Sequence, residues 1–131
     1  MSAKVEVSIT RTFVAEHSLP FIGIARVHSH SYTVECGSVT AIDPAIGCAR
    51  PMSELTREID AVVSRVEGKW LNDVLPAPPT AEVLAGWILA QLPPSWAWVS
   101  VRAYDGFMCK VEREQAPALQ TMPYRASGDA R

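Results

Sequence analysis

Residues 4–17, KVEVSITRTFVAEH, alternate with a period of two: Val5, Val7, Ile9, Phe13, Ala15 and His17 share one face, and Lys4, Glu6, Ser8, Thr10 and Thr12 the other. Such a run specifies a half-buried strand, and its inward face ends in a histidine. A second run begins at about Val27. It sets His28, His30, Tyr32, Val34 and Cys36 on one face and Val27, Ser29, Ser31, Thr33 and Glu35 on the other. Between the two, SLPFIGIAR (18–26) contains Pro20 and Gly23, breaks the period, and reads as a loop rather than a hairpin turn.

After a Gly/Pro-punctuated stretch from Gly37 to Pro51 the period changes to 3.6. Leu55, Ile59, Val62, Val63 and Val66 form the stripe of an amphipathic helix, with Ser53 as its expected N-cap. A proline-rich connection, LNDVLPAPP, leads to Thr80. Thr80 is suited to cap a second helix, with Glu82 in its first turn against the dipole and Val83, Leu84, Trp87, Ile88 and Leu92 as its buried stripe. Pro93 and Pro94 end that helix. Residues 96–103 return to strand, Asp105-Gly106 signals a hairpin, and a last strand runs from Phe107 to about Glu112. From Gln115 onward no period is visible. The predicted order is therefore ββααββ: an α+β domain over residues 1–114 in which a four-stranded antiparallel sheet carries two helices on one face, followed by a flexible tail over 115–131.

Composition narrows the function. A chain of 131 residues builds a core without disulfides or a structural metal. Its net charge of -2, with 12 basic residues scattered along it, lacks the concentrated positive field that nucleic acid requires. No apolar run is long enough to span a bilayer, and the start MSAKVEVSIT has no apolar export segment, which predicts a cytoplasmic protein without a membrane partner. Cys36, Cys48 and Cys109 are odd in number and widely spaced, as suits buried thiols in a reducing compartment.

The chemistry is carried by the histidines. His28 and His30 are two apart on one strand face, roughly 6.5 to 7 Å between Cα atoms, so both imidazoles can converge on one ion. Pairing of the two strands delivers His17 as a third ligand, and a three-histidine site with an open fourth position suits catalytic Zn2+. The alternative is a metal that only ties the two strands together. Glu16 faces away by strand parity, Asp105 reads as a turn residue, Lys69 and Arg26 as solvated charges, and Trp70, Trp87, Trp96 and Trp98 as core or interface.

FVAEHSL (13–19) followed by VHSHSYTVE (27–35) resembles the F-x-A-x-H-x-L and H-G-H-x-Y pair of the 6-pyruvoyl-tetrahydropterin and 6-carboxy-tetrahydropterin synthase superfamily, whose three histidines bind zinc. WLND (70–73) and PPTAEVLAGWI (78–88) are similar to further segments of that family, and the resemblance runs in order from about residue 4 to 113. It implies the tunnelling fold, trimers whose sheets close a barrel, pairing into hexamers, and sites between subunits. It also exposes departures. Ile24 stands where the synthases carry a catalytic cysteine, or a glutamate in a variant class. Glu67-Gly68 replaces their Asp-His relay, Ala103 replaces the glutamate that anchors the pterin, and Ser29 replaces the glycine of H-G-H. The losses fall on the pterin and proton-relay positions while the zinc ligands remain. The expectation is a zinc-dependent lyase or isomerase in a specialised biosynthetic pathway. It would act on a small oxygenated carbonyl substrate, with Glu67 of a neighbouring subunit as acid/base. The alternatives are a non-catalytic binding protein, or a pterin or deazapurine-pathway synthase with displaced catalytic groups.

Overall fold

A computed structural model describes residues 3–104 and 106–122. The first two strands, β1 (Lys4–Leu19) and β2 (Ile24–Ala41), make one long antiparallel hairpin in which His17 faces His28 and Ala15 faces His30. The expected loop over 18–26 is instead a tight turn. A one-turn 3-10 segment, Pro20–Ile22, is closed by Gly23 N–H donating to the Pro20 carbonyl at 3.1 Å, and Leu19 pairs directly with Ile24. Gly23 sits at φ 84°, where a side chain would be strained, and an irregularity between His17 and Leu19 shifts the register and hides the alternation.

The helix α1 (Met52–Val63) buries Leu55, Ile59, Val62 and Val63, and Val66 just beyond its end is fully buried. Its N-cap is Pro51, not Ser53. The ring holds φ at -58°, and the Pro51 carbonyl accepts the N–H groups of Glu54 and Leu55, so the helix starts before the serine can cap it. A single helical turn, α2 (Leu71–Val74), lies within the connection expected to be irregular. In α3 (Ala81–Gln91) Thr80 is the N-cap, its hydroxyl accepting from Val83 N–H at 3.2 Å. The strands β3 (Trp96–Arg102) and β4 (Cys109–Glu112) complete an antiparallel sheet in the order β1-β2-β3-β4. The fold is α+β, as the hydrophobic periods predict.

More of α3 is buried than a stripe. Ala85, Gly86 and Leu89 are covered as well, because residues expected to form part of a tail instead make a short helix, α4 (Ala116–Gln120), on its far side. Leu119 of α4 lies so close to Gly86 that an added Cβ would come within 2.9 Å of it. Residues 123–131 of the expected tail, and Asp105 of the expected hairpin, lie outside the described residues. Around that hairpin, Phe107 N–H donates to the Tyr104 carbonyl at 3.1 Å.

The core lies between the sheet and the helices, with Ile9, Phe13, Tyr32, Val34, Val99 and Val101 against α1 and α3. Trp70, Trp87, Trp96 and Trp98 are buried, and Trp98 lies across Gly37, leaving no room for a Cβ there, with the Lys110 ammonium 4.4 Å from its ring. Among the described residues no helix is long and apolar enough to cross a membrane.

Candidate metal centre

The hairpin register brings His17, His28 and His30 to one end of the sheet, with one ring nitrogen of each lying within 4.8 Å of the others. His17 is buried and the other two are half-buried. Each of the first two rings is held by backbone. His17 Nδ1 lies 2.7 Å from the Pro79 carbonyl, and His28 Nδ1 lies 2.9 Å from the Arg26 carbonyl. A carbonyl only accepts, so both Nδ1 atoms carry a proton, and in the neutral rings both Nε2 atoms present lone pairs. Those two Nε2 atoms are 2.8 Å apart. Facing lone pairs repel, and a cation between them removes the repulsion.

This arrangement fits a metal ion. Tetrahedral zinc with Zn–N bonds of about 2.0–2.1 Å spaces its nitrogens roughly 3.3 Å apart, within a small side-chain shift of the present positions. The carbonyl partners are the outer contacts that orient ligating imidazoles. Burial, with the neighbouring His28 adding to it, lowers the His30 pKa below the usual imidazole range, which favours the neutral, ligating form.

Supporting contacts explain why His17 is so fixed. Asn72, in α2, accepts from Ser18 N–H at 3.0 Å and donates through Nδ2 to the Ser18 carbonyl at 2.9 Å, clamping the backbone next to the ligand. Pro78 and Pro79 stiffen the segment that presents the carbonyl to Nδ1, and Thr80 then starts α3. Asn72→Ala removes both hydrogen bonds to the buried Ser18 backbone, which costs about 2 to 6 kcal/mol at about 1 to 3 for each buried group that loses its bond. The expected outcome is a lower denaturant midpoint with an unchanged slope, together with weaker zinc retention, read from the same protein by denaturation and metal analysis.

A cavity of about 330 Å³ opens above the three rings. Its walls also include Thr80, Tyr104 and Glu82, the last an exposed carboxylate on the first turn of α3. Sequence reasoning assigned Glu82 to the helix dipole alone. Its position three residues beyond Pro79, whose carbonyl holds His17, is the signal that places it here. Glu67 lies elsewhere. It is exposed in the turn after α1, where Gly68 N–H donates to the Val14 carbonyl at 2.7 Å and Glu16 N–H donates to the Lys69 carbonyl at 3.0 Å. The segment around it therefore runs along the edge of β1, and Glu67 does not line its own chain's cavity.

The sequence profile of the 6-pyruvoyl tetrahydropterin synthase family matches residues 6–115. The chain belongs to that family. Its structure is similar to 6-pyruvoyl tetrahydropterin synthase of Caenorhabditis elegans, with a TM-score of 0.78 at 17% identity over 85% of this chain and 96% of that one. It is also similar to the 6-pyruvoyl tetrahydropterin synthases of Plasmodium vivax (TM-score 0.68, 16% identity) and Plasmodium falciparum (TM-score 0.66, 15% identity), each over 85% of this chain and 98% of the other. At these identities the likeness establishes the fold.

The positions that the sequence resemblance sets against synthase catalytic groups separate into two places. Ile24 and Ala103 both line the cavity above the histidines, whereas Gly68 stands in the exposed turn at φ 71°. None of the three cysteines lines the cavity. Burial pushes Cys36 up to about 12 and Cys109 up to about 11, keeping both protonated, and Cys48 is not in the cavity wall.

Proposed function

We propose that this protein is a zinc-dependent enzyme of the lyase or isomerase type, acting on a small oxygenated carbonyl compound rather than on the pterin substrate of its relatives. The observation that carries this reading is the division of the cavity. The three ring nitrogens converge and two of the rings keep a carbonyl partner, while the walls at Ile24 and Ala103 lack the groups that would run a pterin synthase. When bound, zinc supplies a Lewis acid that polarises a substrate carbonyl oxygen and makes the neighbouring carbon acid. His17 and His28 hold their lone pairs toward that position through the Pro79 and Arg26 carbonyls. Leu19, Ile22 and Ile24 give the cavity an apolar wall beside the histidines. Glu82 accepts a hydrogen bond from a substrate hydroxyl, and Glu67 of a second copy takes and returns the proton.

The last step requires assembly. β1 and β4 are the two edges of the sheet, and the face opposite the helices carries Ser8, Thr10, Thr12, Ser29 and Ser31. Closure of several such sheets covers both edges and brings another chain's turn to the cavity, so the working form is a homotrimer or hexamer. Light scattering at micromolar concentration is expected to return one of those masses, and a monomer would remove the role of Glu67. Three free cysteines support a cytoplasmic location.

The experiment is proton exchange. Zinc-loaded protein in deuterium oxide is incubated with a panel of enolisable ketones, aldehydes and 2-oxo acids, and NMR reads deuterium incorporation beside the carbonyl. Exchange with at least one compound is expected, abolished by chelator. Glu67→Gln retains shape and hydrogen bonding but moves no proton, so it slows exchange by about 10²-fold or more with zinc content and mass unchanged. An inert zinc-loaded protein across the panel overturns the enzymatic reading, and full activity in the Gln variant returns Glu67 to a solvated charge.

A further inference from the structure

Three large apolar side chains stand exposed around the mouth of the cavity: Ile22 at 60%, Ile24 at 43% and Tyr104 at 57%. Phe107 and Ala103 continue this wall inward, and the rings of Tyr104 and Phe107 stack with centroids 4.9 Å apart and planes 27° from parallel. Tyr104 also approaches His30, centroid to centroid 5.7 Å. A continuous apolar and aromatic surface therefore leads from solvent down to the histidine nitrogens. Isolated exposed apolar residues need no explanation, but a contiguous set around one cavity marks a binding surface.

The chemistry of the wall selects the ligand. A flat polar heterocycle rich in N–H donors would meet hydrocarbon at Ile24 and Ala103 and lose hydrogen bonds it makes in water, whereas a hydrocarbon ring loses nothing there. Size limits it further. An apolar cavity of about 150 Å³ takes up benzene, and this one, at about 330 Å³, has room for one ring, or two fused rings, with a short side chain. Among the described residues, the polar groups of the lining are those of the histidines, Thr80, Glu82 and the Tyr104 hydroxyl.

We infer that the substrate is an aromatic compound bearing a short oxygenated arm. Its ring lies against Ile22, Ile24, Tyr104 and Phe107, and its carbonyl or hydroxyl oxygens face His17, His28 and His30. The oxygen end of this assignment rests on the metal reading proposed above, and the ring end does not.

Two hydroxamates separate the ends. Acetohydroxamate and benzohydroxamate share one metal-binding head and differ by a phenyl ring, and both are titrated calorimetrically into the zinc-loaded, full-length protein. Benzohydroxamate is expected to bind at least tenfold more tightly. Ile24→Asn, a change at a side chain outside the core, is expected to reduce benzohydroxamate affinity at least tenfold while altering acetohydroxamate affinity less than threefold. Equal affinities for the two in the parent protein overturn the aromatic assignment and leave the metal reading standing, and so does tighter binding of biopterin than of benzohydroxamate. If neither hydroxamate binds, the metal reading fails. The ring end is then decided on chelator-treated protein with indole as the probe. Methyl NMR shifts at Leu19, Ile22 and Ile24 support it, and their absence, as when a second copy covers those side chains, overturns it.

Discussion

His28→Ala protein purified without chelator is expected to contain less than a tenth of the zinc of the parent chain, which should carry close to one ion per subunit. Free energies of about 10 to 16 kcal/mol for structural zinc sites with four ligands put each ligand at roughly 3 kcal/mol, so loss of one imidazole weakens binding by about 10²-fold or more. His28 is the informative position because its ring is half-buried and its Nδ1 is held by its own strand, at the Arg26 carbonyl. His17→Ala would also empty a buried position and abandon the Pro79 carbonyl, mixing loss of metal with loss of packing. The same comparison has a stability readout. A ligand bound only by the folded chain stabilises it by about 2.7 kcal/mol at a hundredfold excess over its Kd, so added zinc should raise the melting temperature of the parent and leave the variant unchanged. Full occupancy in His28→Ala would show that these histidines do not hold the ion.

The histidine cluster was legible because it follows from strand parity. His28 and His30 share a face whatever the rest of the chain does, and the apolar residues before His17 fix its side of the sheet. The turn at 18–26 was not legible for the opposite reason. Pro20 and Gly23 signal a reversal, but the register shift after His17 breaks the period that would have shown the strands continuing to Leu19 and from Ile24. The helix start at Pro51 was missed because serine is the stronger capping residue by propensity, while a carbonyl held by a fixed proline φ performs the same task through backbone alone. The helix α4 was hidden because its five residues are too few to express a period, and what calls for it is Gly86 of α3, which leaves room for Leu119. Glu82 and Asn72 belong to the same class. Their importance lies in contacts with β1, distant in sequence, where Asn72 holds Ser18 and Glu82 shares a cavity with His17.

Dihydroneopterin triphosphate should not be converted to either tetrahydropterin product at a useful rate by the zinc-loaded protein. The resemblance to the synthases assigns the reaction to a thiol, an imidazole and an anchoring carboxylate, and here those places hold Ile24, Gly68 and Ala103. Proton-relay groups contribute typically about 10² to 10⁴-fold each, so the two relay losses alone remove about 10⁴-fold or more. The location of the changes sharpens the expectation. Ile24 and Ala103 lie on the same cavity wall, the first exposed and the second buried at the edge of the core, so Ile24→Cys with Ala103→Glu restores the pterin-facing chemistry there. That double variant should gain at least tenfold in affinity for a reduced pterin, measured by titration against the parent, because a carboxylate again accepts the ring's donors. It should still fail to turn over, since Gly68 supplies no imidazole, and the positive φ of 71° at that position makes a histidine there strained as well as absent. Robust turnover by the parent chain would mean that another group moves the proton. Unchanged pterin affinity in the double variant would mean that Ala103 does not occupy the anchoring position.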